Sequence, residues 1–194
     1  MMRLLTTLLL AAVCTACGGP SRDGNAFTFD EAGMAYRVEF RTENTVRILV
    51  RPAGSPLVTR RLVVDSVPAA PVEVRREAIE HGYAFRTSQL RVEFDRTRGL
   101  FSFRDARTDA LLLAETARSL RPDTVGGEAC YAVTQRFAGT DDEALYGLGQ
   151  YQTGALNYKR DTVLLLQANK DIVNPYLVST RGFGLLWDNY SASE

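Results

Sequence analysis

Little in this chain could bind a metal or lock the fold covalently. It holds one histidine, His81, and three cysteines, Cys14, Cys17 and Cys130. With no cysteine or second histidine near it, His81 cannot be half of a metal pair and reads as a solvated turn residue. No metal or cofactor is called for. Net charge is also missing, since 23 basic residues balance 23 acidic ones. A nucleic-acid partner would want a net basic face, so that class is set aside. No apolar run reaches the ~20 residues that a membrane-spanning helix needs. Outside the first residues no window has the period of an amphipathic helix, and there is no internal repeat or low-complexity tract.

What is present begins with an export signal. Arg3 precedes an apolar segment over residues 4–13, and small residues lead to Cys17, so residues 1–16 read as a secretory signal peptide. The run Thr15-Ala16-Cys17-Gly18-Gly19 resembles a bacterial lipoprotein cleavage site, with Cys14 where leucine is usual. That resemblance makes Cys17 the lipidated first residue, residues 17–26 a tether, and the protein membrane-anchored at the periplasmic or cell-surface side. The alternative is ordinary cleavage with Cys17 incidental. With Cys14 removed and Cys17 lipidated, Cys130 alone remains in the folded part, which excludes an intramolecular disulfide and leaves stability to the core.

From Phe27 onward the chain alternates as strands do. Residues 34–40 and 45–51 form a hairpin, with Val46, Ile48 and Val50 on one face and Arg47, Leu49 and Arg51 on the other. Strands follow at 61–67, 83–86, 89–95, 100–104, 111–114 and 131–137; residues 116–124 have no clear period. Many short strands without helices predict an all-β, mostly antiparallel sandwich over residues 27–194.

The richest stretch is 146–190. Its runs at 163–166 and 184–187 are short and apolar, as buried strands are, and Pro175 fits the first residue of a strand at 176–178. Gln150, Gln152, Asn157, Gln167 and Asn169 lie among aromatics there, a mix that can hydrogen-bond sugar hydroxyls and cover the apolar side of a ring.

The order of these pieces resembles the N-terminal domain of glycoside hydrolase family 31, the α-glucosidases and α-xylosidases. Tyr146-Gly147-Leu148-Gly149-Gln150, Asn157-Tyr158, Gln167-Ala168-Asn169, Pro175-Tyr176-Leu177-Val178-Ser179 and Gly182-Phe183-Gly184-Leu185-Leu186-Trp187-Asp188-Asn189 carry it, in that order, over about 45 residues. Gln167-Ala168-Asn169 followed by Asn174-Pro175-Tyr176 is closest to the bacterial α-xylosidase-like branch. The resemblance implies a galactose mutarotase-like sandwich that shapes the entrance of a following (β/α)8 barrel. It implies an α-linked oligosaccharide as partner, with Asn169, flanked by Gln167 and Lys170, reaching the sugar; hydrogen bonding inside the loop is the competing role. The family's two catalytic acids stand on the barrel, which takes roughly 250 residues. No Asp-x-Asn-Glu run occurs here. The chain is therefore expected to be a catalytically inactive first domain of a larger hydrolase, or else a free-standing carbohydrate-binding lipoprotein.

Three further candidates have plainer readings. Asp141, Asp142 and Glu143 could be paired carboxylates for glycoside hydrolysis but fit a charged turn better. Ser179 has no histidine near it in sequence and reads as a strand residue. Trp187 could stack on a sugar but reads as core.

Overall fold

The computed structural model describes residues 19–56, 69–167, 169, 171–189 and 191–194. The expected signal peptide, Cys17, Lys170 and the strand expected at 61–67 lie outside them. Among the described residues there are strands and no helix, and every strand pairing is antiparallel. The all-β expectation holds.

The first sheet is a meander of β1 (Ser21–Asp23), β2 (Ala26–Glu31), β3 (Met34–Thr42) and β4 (Thr45–Pro52). Its start differs from the sequence reading. Ser21–Asp23, assigned to a tether, pairs with Ala26–Thr28, and Ala26 is buried. Polar, glycine-containing segments look alike in sequence whether they tether or turn; here a neighbouring strand makes the difference.

The second sheet runs β10-β9-β8-β7-β6-β5, from β5 (Arg75–Ile79), β6 (Gly82–Arg86), β7 (Leu90–Asp95), β8 (Leu100–Asp105), β9 (Leu111–Val125) and β10 (Glu128–Phe137). Residues 116–124, without side-chain period, are the outer half of β9. Their ladder with β10 keeps them extended, so backbone pairing replaces the missing apolar face.

The core lies between these two sheets. Phe27, Phe29, Tyr36, Val38 and Phe40 from the first meet Phe85, Val92, Phe94 and Phe101 from the second. The expected alternation along β7 is realised, with Leu90, Val92 and Phe94 inward. Val46, Ile48 and Val50 pack against the same core. Phe94 sits at its centre, with ring centroids 4.8 Å from Phe29, 4.7 Å from Tyr36 and 4.9 Å from Phe101. These tilted contacts suit the quadrupoles of aromatic rings. One edge is closed by a buried ion pair. The Glu115 carboxylate accepts from the Phe101 N–H at 2.8 Å and pairs with Arg118, whose guanidinium lies over the rings of Tyr36 and Phe101.

The third sheet has the order β11 (Leu145–Gln150), β12 (Ile172–Ser179), β13 (Phe183–Leu186). Polar links join it to the sandwich. Arg47 on β4 meets Asp188, just past β13, at 3.0 Å, and Arg181 donates to the Leu111 carbonyl.

Three expectations in this region fail. Residues 163–166 are not a buried strand; a single bridge, Leu165 to Ser193, holds them, and Leu164 and Leu166 are about half exposed (55% and 50%). Pro175 does not open its strand but lies inside β12. It is tolerated because the ladder is interrupted there: Gly147 pairs with Leu177 and Gly149 with Val173, leaving Pro175 opposite a bulge where no N–H is needed. Trp187 lies beyond β13 and outside the core, half-buried, with its N–H on the Pro175 carbonyl at 2.8 Å.

Candidate functional site

The region that carries the sugar-contact expectation is the third sheet and the 151–171 loop between β11 and β12. Its foundation is the bulge at residues 147–149. Gly147 and Gly149 have φ of 109° and 114°, and a Cβ on them would lie 2.3 Å from the Tyr176 carbonyl oxygen and 1.9 Å from that of Ile172. Only glycine fits backbone this close to backbone. That is the physical content of Tyr146-Gly147-Leu148-Gly149.

The 151–171 loop is folded back onto β11 by Asn157 and Tyr158. Asn157 Oδ1 accepts the N–H groups of Leu145 and Lys159, both at 3.0 Å, and the Tyr158 N–H reaches the Leu145 carbonyl at 2.8 Å. Tyr151 meets Tyr158 edge-on at 6.3 Å and donates its hydroxyl to the Leu148 carbonyl at 3.1 Å. Burial, together with the negative charge of Asp171, pushes the Tyr151 phenol above its ordinary pKa.

The two described residues of the predicted contact set part company. Gln167, also exposed, is bonded within its own loop: Nε2 donates to the Asp171 carbonyl at 2.9 Å and Oε1 accepts the Val173 N–H at 3.0 Å. Asn169 is exposed, and among the described residues its side chain makes no hydrogen bond.

The acidic turn holds a feature that sequence reading missed. Glu143 is buried, its side chain 4% exposed, and takes the Ser179 hydroxyl at 2.5 Å with Lys159 Nζ 3.5 Å away. Ser179 lies 36 residues on, so no local signal could have linked them. Burial alone would raise the Glu143 pKa, but the hydrogen bonds from Ser179 and the Thr140 N–H and the Lys159 charge outweigh it, and the carboxyl is held below its ordinary range. A carboxyl that binds its proton less tightly folded than unfolded stabilises the fold above the unfolded pKa. That contribution fades as pH falls through the lowered folded value. Ser179→Ala should therefore cost about 1–2 kcal/mol at neutral pH, a difference that shrinks towards acid. Urea midpoints taken across pH check this, and a pH-independent difference would contradict it.

So engaged, Glu143 is a pin between β12 and the turn before β11. Asp141 is paired with Arg160 at 2.8 Å on the surface. His81 stands exposed beside Glu80 (3.6 Å). A shallow depression that His81 lines with Arg91, Glu93, Arg98 and Ser102 sits on the outer face of the second sheet. Its aromatic residue, Phe101, is 1% exposed and offers no ring face to a sugar. Among the described residues no three of histidine, cysteine, aspartate and glutamate are grouped to hold a metal ion.

One face of the third sheet is left bare. Tyr176, Val178 and Leu186, aligned by register with Tyr146, are 43%, 41% and 39% exposed, and Ile172 is 59% exposed. The Tyr176 ring lies across Gly184, where a Cβ would come within 2.1 Å of its hydroxyl.

Comparison with known proteins identifies the family. The glycosyl hydrolase 31 N-terminal galactose mutarotase-like domain matches residues 35–194. An α-xylosidase of Saccharolobus solfataricus is 30% identical over 169 residues, 81% of this chain and 22% of the relative. The crystal structure of a family 31 α-xylosidase from Xanthomonas citri superposes with a TM-score of 0.74 at 32% identity, covering 88% of this chain and 19% of that one. A family 31 α-xylosidase from a soil metagenome, solved with xylose, gives a TM-score of 0.76 at 25% identity, covering 90% and 28%. The chain thus spans about a fifth of the length of the curated relative it matches. It belongs to glycoside hydrolase family 31, matching that family's N-terminal galactose mutarotase-like domain.

Proposed function

We propose that this chain is the entrance-shaping domain of a family 31 α-glycosidase acting on α-xylosides or α-glucosides, with Asn169 meeting the sugar and the catalytic acids supplied by a (β/α)8 barrel. The observation that carries this reading is the bare face of the third sheet. Ile172, Tyr176, Val178 and Leu186 expose apolar surface on one side of one sheet, while the sandwich beside it is closed over its own core. Such a face on a small domain calls for a covering partner. The family, and relatives of about five times the aligned length, favour the rest of a hydrolase over a free-standing sugar-binding module.

Retaining glycoside hydrolysis needs two carboxyl groups ~5–5.5 Å apart, one to attack and one to protonate the leaving oxygen. Here Glu143 is buried and bonded to Ser179, an anchor within the fold rather than a group open to substrate. What the domain offers is position. A group that orients bound sugar lowers the barrier only where the acids are also present.

Assays with 4-nitrophenyl α-D-xyloside and α-D-glucoside test this. The 194-residue chain alone should show no turnover. The same chain fused to the barrel of a close relative should be active, and Asn169→Ala should lower kcat/KM about tenfold, the value of one well-placed hydrogen bond. Turnover by the isolated chain that disappears on mutating Asp171 or the Asp141-Asp142-Glu143 cluster would overturn the proposal.

A further inference from the structure

A sugar-contacting side chain on a loop is useful only if the loop is already in place, because ordering it on binding costs affinity. The loop that bears Asn169 contains a device for that. The amide of Gln167 joins both ends of the segment 167–173: its Nε2 donates to the Asp171 carbonyl at 2.9 Å, and its Oε1 accepts the Val173 N–H at 3.0 Å. Val173 is already fixed in β12, paired with Gly149 across the bulge. One planar group thus ties the far side of the loop to a strand of the third sheet, with Asn169 in the span between.

The chemistry suits an amide and few other side chains. The two backbone groups to be bridged are one acceptor and one donor, and glutamine offers one of each on a single rigid plane. An ionised glutamate offers acceptors only and would face the Asp171 carbonyl with like polarity. Lysine offers donors only. A shorter or apolar side chain closes nothing.

We infer that Gln167 is a positioning residue, a clamp that closes the 167–173 loop and presents Asn169, and not itself a sugar ligand. The inference rests on the reading that Asn169 meets the sugar, but its test does not. Gln167 therefore leaves the set of contact residues and becomes what holds the remaining one.

Amide hydrogen exchange and backbone relaxation on the 194-residue chain, without sugar, read the clamp directly. In Gln167→Ala the Val173 amide should lose protection about five- to tenfold, and the Asn169 backbone order parameter should fall. Val92 and Phe94, in the sandwich core, should keep their protection. Gln167→Glu supplies the control that a space-filling role would not pass. At pH 7 the new carboxylate still accepts the Val173 N–H but cannot donate to the Asp171 carbonyl, so Val173 should stay protected while the Asn169 order parameter falls. Near pH 4, where a glutamate of ordinary pKa (~4.3) is largely protonated, the carboxyl again carries one donor and one acceptor, and the Asn169 order parameter should return towards wild type. Unchanged Val173 protection in Gln167→Ala would overturn the clamp, as would a Gln167→Glu variant that behaves alike at both pH values. Lost protection with Asn169 as ordered as before would overturn the positioning role. Asn169→Ala should leave the Val173 amide protected. If it also leaves the activity of the fusion enzyme unchanged, the sugar reading fails while the clamp stands.

Discussion

Phe94→Ala should lower the stability of this domain by about 3–5 kcal/mol, the usual cost of emptying a large aromatic site in a closed core. Phe94 is fully buried and stands within 5 Å, centroid to centroid, of three other rings drawn from both sheets of the sandwich. Those neighbours are held by strand pairing, so they cannot collapse into the space. Domains of this kind are typically stable by about 5–15 kcal/mol, so much of the total is at stake. The midpoint of urea unfolding should fall with little change in slope. A loss below about 1 kcal/mol would mean that the two sheets do not share one core around this ring.

Gly149→Ala should act elsewhere and differently. The substitution forces a side chain into a backbone conformation at φ 114° and sets its Cβ 1.9 Å from the Ile172 carbonyl oxygen, which is itself part of a strand. A backbone oxygen cannot step aside as the tip of a flexible side chain can. Strain of roughly 3 kcal/mol or more follows, and the chain relieves it by giving up the β11–β12 pairing. The sandwich need not follow, because contacts such as Arg47–Asp188 and the hydrogen bond from Arg181 to Leu111 tie the sheets through polar groups and not through a shared core. Hydrogen exchange should therefore show protection in β12 reduced a hundredfold or more, while β7 is unaffected. Retained protection across β12 would show that the bulge is not what holds the third sheet. Uniform loss through both regions would show that the sheets unfold as one unit.

The two predictions divide the molecule along the line that also divides what could be read in advance. The strands of the sandwich announced themselves because each carries its own period. Leu90, Val92 and Phe94 alternate with Arg91, Glu93 and Asp95, and that alternation has one low-energy answer, a strand half buried against a partner. Where period was absent, as in the outer half of β9, sequence reading stopped short, since a strand held by ladder bonds alone leaves no mark on side-chain order.

In the third sheet the sequence by itself determined the family, through the order of its motifs. It did not determine what those motifs do. An apolar run such as Val163-Leu164-Leu165-Leu166 looks the same whether it becomes a strand or a half-exposed segment, because burial depends on what packs over it. Trp187 reads as core for the same reason. In sequence Asn169 is the expected sugar contact with Gln167 as its neighbour; the bonds from Gln167 to Asp171 and Val173 are seen only in the structure. Arg47 and Asp188 are 141 residues apart, and Glu143 and Ser179 are 36. Pairings of that range are chosen by the way the sheets come together. Local sequence fixes which way a side chain points along its own strand, and only the tertiary structure decides what it points at.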